Sequence, residues 1–94
     1  MLFKSGTTTI SSPGTAVQIN NTADKVKVIE VRARPGNSGD VYFGDSDVSS
    51  SSGRTLQPGE PAKVTLDEGS LLFNVFYVDG DQSGDKVDYI VILH

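Results

Sequence analysis

Residues 79–85 carry the spacing of oxygen atoms that a calcium ion uses. The segment reads Asp-Gly-Asp-Gln-Ser-Gly-Asp, which places Asp79, Asp81, Ser83 and Asp85 at alternating positions and a glycine at the sixth, as in an EF-hand loop. An EF-hand closes its site with a glutamate at the twelfth position, which is Ile90 here. Turns between strands use the same residue types for backbone hydrogen bonds. We therefore expect no resident metal and keep calcium at these three carboxylates as the alternative.

The sequence offers little material for catalysis. Its single histidine is His94, the last residue, where chain ends usually fray, so a serine–histidine–aspartate arrangement lacks a firmly held base. No serine lies in a nucleophile-elbow motif that follows a strand. Residues 36–39, Gly-Asn-Ser-Gly, lack the following helix and the Lys-Ser/Thr pair of a phosphate-binding loop. The sequence indicates a protein that is not an enzyme and binds no cofactor.

The charge distribution argues against nucleic acid as a partner. The net charge is −4, and the eight lysines and arginines are scattered. Four of them lie in residues 25–34 among acidic neighbours, whereas a nucleic-acid site needs a basic stripe, often with stacking aromatic residues. The absence of cysteine excludes disulfides and thiolate metal sites. No apolar run approaches the about 20 residues of a membrane helix and no signal-peptide pattern is present, so we expect no membrane partner and synthesis without export.

Short alternating segments predict an all-β fold. No window of a dozen residues has the apolar spacing of an amphipathic helix. Runs of β-branched and aromatic residues recur instead between turn residues, which predicts an antiparallel β-sandwich, jelly-roll-like, with seven to eight short strands. A change of phase in the apolar pattern predicts a β-bulge or sharp bend between Val28 and Glu30. The predicted strands lie within residues 5–12, 16–19, 25–34, 41–43, 62–66, 71–78 and 87–93.

The two C-terminal strands offer apolar side chains on both faces. In residues 71–78, read as one strand, odd-numbered and even-numbered positions are both mostly hydrophobic. In residues 87–93, Ile90 and Ile92 lie opposite the other apolar residues. One face of each strand fills the core. The other is covered either by the N-terminal segment or by another subunit, and we favour the subunit.

The first 15 residues form a region of their own. Residues 1–15 are predicted to be an extended N-terminal arm or an edge strand, and residues 16–94 to be the β-sandwich domain. An extended segment can add a strand to the sheet edge of a partner. The serine run at residues 49–52 is a less favoured contact, because serine runs are usually just solvated. The predicted partner-binding residues are Leu2, Phe3, Thr7, Thr8, Thr9 and Ile10.

Residues 41–60 carry a recognisable combination of motifs. The sequence VYFGDSDVSSSSGRTLQPGE contains a short strand ending in glycine, a serine-rich loop and a Gly-Arg-x-Leu-x-Pro-Gly-Glu turn at residues 53–60. A Val-Asp-Gly at residues 78–80 and a Gly-Asp at residues 84–85 precede the last strand. In these motifs the chain resembles small phage virion structural proteins, over roughly residues 16–93.

The resemblance implies a virion component with a β-sandwich or jelly-roll fold, most like a capsid decoration (cement) protein. Such a protein binds the major capsid protein at the capsid surface of the virion after synthesis in the host cytoplasm. We therefore expect a homo-oligomer, with a trimer favoured. The alternative is a tail or fibre module that binds a receptor or glycan. A sugar platform needs exposed aromatic rings, whereas those of this chain are interpreted as core or interface residues: Tyr42, Phe43, Phe76 and Tyr77.

Overall fold

The described chain consists of eight strands and one short 3-10 helix. The computed structural model describes residues 2–66 and 71–94, with the backbone alone at Leu2. Within these residues no helix has the length and apolar character needed to cross a membrane. The 3-10 helix is Phe73–Val75. The strands are β1 (Leu2–Thr9), β2 (Val17–Gln18), β3 (Val26–Ala33), β4 (Val41–Gly44), β5 (Arg54–Leu56), β6 (Pro61–Thr65), β7 (Tyr77–Gly80) and β8 (Lys86–Leu93).

The strands form two antiparallel four-stranded sheets that pack together. Sheet A has the order β1-β8-β3-β6, and sheet B has the order β2-β7-β4-β5. Strand β1 pairs with β8, β2 with β7, β3 with β6 and β4 with β5, like one long hairpin wound around a core. This is the strand order of a jelly roll. The predicted fold class, an antiparallel β-sandwich of seven to eight strands, is confirmed with eight.

Alternation along the strands supplies the core between the two sheets. In β8 the odd-numbered residues face the core and the even-numbered residues face outward, because successive side chains of a strand point to opposite faces. Full burial of one such side chain stabilises the fold by about 1.5–3 kcal/mol before entropy costs. The largest fully buried hydrophobic side chains come from both sheets and their connections: Phe73, Ile10, Ile29, Leu56, Leu93, Val26, Val31, Val41, Val78, Val87 and Val91.

The β-bulge in β3 lies slightly earlier than the sequence predicts. The sequence places it between Val28 and Glu30, whereas the pairing with β8 changes register between Val26 and Val28, with Lys27 as the extra residue. A bulge shifts the alternation by one residue. Val26 and Ile29 are therefore both fully buried although they are three residues apart.

The segment predicted as a strand over residues 71–78 is irregular in its first half. Residues Phe73–Val75 form a 3-10 helix, and β7 begins after it. Phe73 is 0% exposed, whereas Leu71 is 40% exposed and Val75 36%. The prediction that the odd-numbered residues share one face is therefore wrong, because the helical turn interrupts the two-residue period.

The turn before β6 has the geometry that its residues predict. The N–H of Glu60 donates to the carbonyl of Gln57 at 2.9 Å, and Gly59 has a φ of 87°. Glycine adopts this left-handed conformation without strain, which confirms the turn predicted at residues 57–60. The sequence does not predict strand β5, which directly precedes this turn. Only one of its three residues is buried, so no alternating pattern marks it.

Candidate macromolecule-binding surface

Strand β1 is the longest edge strand among the described strands. It has eight residues and pairs with β8 on one side, and no described strand pairs with its other side. The edge strands β2 and β5 have two and three residues, and β6 has five and begins with Pro61, which lacks an N–H donor. A long edge strand without proline is a template for strand addition, whereas short or proline-containing edges are protected. Residues 2–9 of the predicted arm or edge strand are thus an integral part of sheet A.

The backbone groups on the open side of β1 belong to its odd-numbered residues from 3 to 9. In the loop before β8, the carbonyl of Asp85 accepts a hydrogen bond from the N–H of Ile10 at 2.8 Å. The N–H of Gly84 in the same loop donates to the carbonyl of Ile10. The carbonyl of Lys86, opposite Thr9, accepts its bond from the β3 side. Since backbone polar groups alternate sides along a strand, the even-numbered residues of β1 face β8 and the odd-numbered ones face outward from the sheet edge.

The pleat of β1 divides the predicted partner-binding residues. Thr8 and Ile10 point inward and are 8% and 0% exposed, so in this fold their side chains belong to the core and not to a contact surface. The side chain of Leu2 lies outside the described part of the structure. The predicted contact residues that are exposed on the outer face of sheet A are Phe3, Thr7 and Thr9.

The outer face of sheet A is ordered in rows that cross its four strands. The first row, from β1 to β6, consists of Phe3, Ile92, Val28 and Thr65. The second row consists of Ser5, Ile90, Glu30 and Lys63. The third row consists of Thr7, Asp88, Arg32 and Pro61. The face is therefore mainly apolar at one end and charged toward the other.

Apolar side chains on this outer face are unusually exposed. Phe3 is 68% exposed and Ile90 44%, and the neighbouring Ile92 and Val28 are half-buried. Contiguous exposed apolar residues in a soluble domain typically mark a binding surface. Comparison of the chain with protein-family models, curated proteins and solved structures gave no match. The functional interpretation therefore depends on this surface, on the open edge of β1 and on the sequence motifs.

A hydrogen-bond network fixes the charged end of the face. The Arg34 guanidinium donates to both carboxylate oxygens of Asp88, at 2.7 and 3.3 Å, and the hydroxyl of Thr7 donates to the same carboxylate at 2.9 Å. The Arg34 hydrogen bonds, followed by that from Thr7, hold the pKa of Asp88 below its usual value. Because the pKa is lowered in the folded state, this contribution to stability is present above the ordinary carboxyl pKa and is lost as the pH falls. The network ties β1 to β8 and to the end of β3.

The three carboxylates of the calcium alternative point to three different places. Asp79 is buried and accepts hydrogen bonds from the N–H groups of Gly14 and Gly80, at 3.0 and 2.7 Å. Asp85 is also buried and accepts bonds from the N–H groups of residues 38 and 39, each at 2.9 Å. The described residues contain no group of three acidic or histidine side chains that could hold a metal ion. These carboxylates organise loops, as turn residues do, and each of them has hydrogen-bond partners of its own.

The third carboxylate, Asp81, is engaged by an aromatic side chain. The hydroxyl of Tyr42 lies 2.8 Å from both of its oxygens and donates to them. This hydrogen bond, together with burial, raises the pKa of Tyr42 to about 12. The bond fastens the loop between β7 and β8 to β4.

Calcium should leave the stability of the protein unchanged. At about 5 mM calcium, a site with a Kd of about 0.1 mM would add about 2 kcal/mol to the free energy of unfolding. We expect the melting temperature in 5 mM calcium chloride to equal that in EDTA within about 1 °C, because the described residues contain no carboxylate cluster that could gain from the ion. A reversible rise of several degrees would contradict this arrangement.

A groove opens between the two sheets on the side of β5 and β6. Its volume is about 580 Å³. At its base the rings of Phe43 and Phe76 stack with their centroids 5.9 Å apart, and both side chains are 6% exposed. Tyr42 is 7% exposed and Tyr77 is half-buried. The rings of Tyr42, Phe43 and Phe76 lie too deep to form the flat aromatic platform that a glycan-binding module needs.

Two other segments named from the sequence have structural roles. Ser49 and Ser52 exchange two backbone hydrogen bonds, at 2.9 and 3.1 Å, and thereby form the tip of a tight hairpin. The N–H of His94 donates to the carbonyl of Lys25 at 2.9 Å, which extends the pairing of β8 beside β3, while the His94 side chain is exposed. Neither segment brings titratable side chains together in the described structure.

Proposed function

We propose that this chain is a non-catalytic structural protein of a phage virion, which binds the capsid surface and stabilises it. In this proposal β1 adds to a sheet edge of the major capsid protein. The observation that carries it is the open edge of β1, where the odd-numbered residues from 3 to 9 each present one N–H and one carbonyl. Buried backbone groups in native proteins are paired almost without exception, so such an edge gains hydrogen bonds when a partner strand covers it.

Two further features support the proposal. The jelly-roll strand order recurs in viral capsid domains, although it is shared with lectins and cupins and does not by itself assign a function. The motifs in residues 41–60 resemble those of small virion proteins. In the structure these motifs form β4, the hairpin tip and the turn before β6, so they describe the scaffold that holds sheet B and not the contact itself.

Strand addition gives affinity through the backbone and specificity through side chains. Among the exposed side chains of β1, Phe3 is the large apolar one beside the open edge, so an added strand contacts its ring from the side. The hydroxyl of Thr7 donates to Asp88, which links β1 to β8 through side chains as well as through the backbone. Repetition of this contact over many copies on a particle strengthens attachment without requiring tight single contacts.

Deletion of the N-terminal segment is a poor test, because Thr8 and Ile10 belong to the core. Ser5→Pro removes one N–H from the open edge while the bonds between β1 and β8 stay in place. The matched control Ser5→Ala keeps that N–H. Capsids of the phage that encodes the chain, assembled without it, are incubated with each purified variant, and bound protein is measured by sedimentation. We expect Ser5→Pro to bind at least about ten-fold more weakly than wild type, and Ser5→Ala to bind normally.

Each outcome of this experiment decides the proposal. Circular dichroism and melting curves first establish that both variants are folded. Equal binding by Ser5→Pro and wild type would overturn the role of the β1 edge. Wild-type protein that is absent from virions and binds no capsid would overturn the virion function altogether. Saturable hits on a glycan array in that case would favour the tail or fibre module.

A further inference from the structure

The first row of sheet A forms an apolar strip that the described chain leaves uncovered. Phe3, Ile92 and Val28 lie side by side on three neighbouring strands, and Ile90 extends the strip into the second row. Outer faces of antiparallel sheets are usually polar, because the alternation that fills the core turns polar residues to water. Only the end of the face with the first two rows departs from this rule, since the third row contains the charged residues Asp88 and Arg32.

We infer that a second copy of this chain covers the outer face of sheet A, related to the first by a two-fold axis parallel to the strands and between β8 and β3. Such an isologous pair places β8 of one copy over β3 of the other and keeps every row over its own counterpart. Ile92 then lies over Val28 of the second copy, and this contact occurs twice. An axis across the strands at the centre of the face would place the first row over the third, and therefore apolar side chains over charged ones.

The charges of the third row are complementary in the same arrangement. Asp88 of each copy, which Arg34 and Arg32 of its own chain already contact, lies over Arg32 of the other copy, so opposite charges face each other twice at this end of the interface. Like charges in this position would cost free energy and exclude the pairing. In the second row Ile90 lies over Glu30 of the second copy, next to a shallow depression of about 310 Å³ that both residues line. The depression provides space for the isoleucine beside the aliphatic part of the glutamate.

The size of the face sets the strength of the association. Four strands about 4.8 Å apart, with three rows about 7 Å apart, give a footprint of roughly 20 by 20 Å. This is smaller than the about 800 Å² per partner of a standard interface, so we expect a weak, concentration-dependent dimer. The inference does not rest on capsid binding, because β1 of one copy lies over β6 of the other and both open edges stay accessible.

Two substitutions test the row-on-row arrangement. Ile92→Glu and Val28→Lys each place a charge in the first row. Sedimentation equilibrium from about 10 µM to 1 mM should show wild type approaching twice its mass of 10.0 kDa. Each variant alone should associate at least about ten-fold more weakly. An equimolar mixture should associate again, because in a mixed pair the introduced glutamate lies over the introduced lysine and the other contact is wild-type.

The control is Val75→Glu, which changes a residue that is 36% exposed and lies outside sheet A. This variant should associate like wild type. A monomeric wild type at 1 mM would overturn the inference, and so would a trimer, which a two-fold contact cannot build. Loss of association in both variants without recovery in the mixture would overturn the placement of Ile92 over Val28. Because this experiment needs no capsid, its failure is distinct from a failure of the proposed function.

Discussion

Phe73→Ala should lower the free energy of unfolding by about 3–5 kcal/mol, whereas Leu71→Ala should lower it by less than about 1 kcal/mol. Phe73 is 0% exposed, and its ring meets that of Tyr89 edge to face at a centroid distance of 5.7 Å. It therefore joins the connection before β7 to sheet A across the core. Truncation leaves a cavity that the surrounding strands can close only in part. Leu71 is 40% exposed and leaves no such cavity.

Urea denaturation of the two variants measures this difference. A small domain unfolds with a free energy of about 5–15 kcal/mol, so the loss at Phe73 is a large fraction of the total. Val75→Ala is a second control, since Val75 belongs to the same 3-10 helix and is partly exposed. Equal losses for all three substitutions would show that residues 71–78 form a regular strand with a common buried face, and would contradict the helical turn.

Gly53→Ala should destabilise the protein by about 3 kcal/mol or more, and Gly84→Ala by about 1 kcal/mol. Both glycines have a positive φ, 106° at Gly53 and 90° at Gly84, which costs any other residue backbone strain. A Cβ at Gly84 meets nothing within 4 Å. A Cβ at Gly53 would lie 2.5 Å from Cγ2 of Val48 and 2.8 Å from the carbonyl oxygen of Phe43. Because Phe43 is held in sheet B, the hairpin before β5 must move.

The pair of glycine variants separates backbone strain from steric overlap. Their free energies of unfolding in urea should differ by about 2 kcal/mol in favour of Gly84→Ala, which should also melt at the higher temperature. The difference reports the contact with Val48 and Phe43. If the two variants are equally stable, the close packing of the hairpin against β4 is wrong. The result also bears on the Gly-Arg-x-Leu-x-Pro-Gly-Glu motif. The first glycine of the motif is Gly53, and the close contacts around it explain why a glycine stands there.

The all-β class and the jelly-roll-like fold were predictable because alternation survives in the long strands. In β8 the buried odd-numbered residues are all large and apolar. The two-residue period can therefore be read from the sequence without knowledge of the strands that pair with β8. For the segment around Phe73 the same rule gives a wrong prediction. Its residues have strand-like composition on both faces, so composition does not reveal the 3-10 helix that begins at Phe73. Phe73 packs there against Tyr89, which lies 16 residues further along the chain.

The proposed contact surface could be predicted only in part. Composition alone predicts a contact segment that includes Phe3 and Thr7. The burial of Thr8 and Ile10 follows from the pairing of β1 with β8, and composition gives no information on that pairing. The apolar row requires still more. It joins residues from β1, β8 and β3, and their alignment depends on the bulge at Lys27.

The most direct test of strand addition at β1 is amide hydrogen exchange of the protein free and bound to capsids, with the exchanged protein released and read residue by residue. The odd-numbered amides from 3 to 9 should exchange rapidly in the free protein and at least about ten-fold more slowly when it is bound. The even-numbered amides, already bonded to β8, should change little. Protection confined to another surface, such as the hairpin tip at residues 49–52, with the odd-numbered amides of β1 still exchanging rapidly, would contradict docking through this edge.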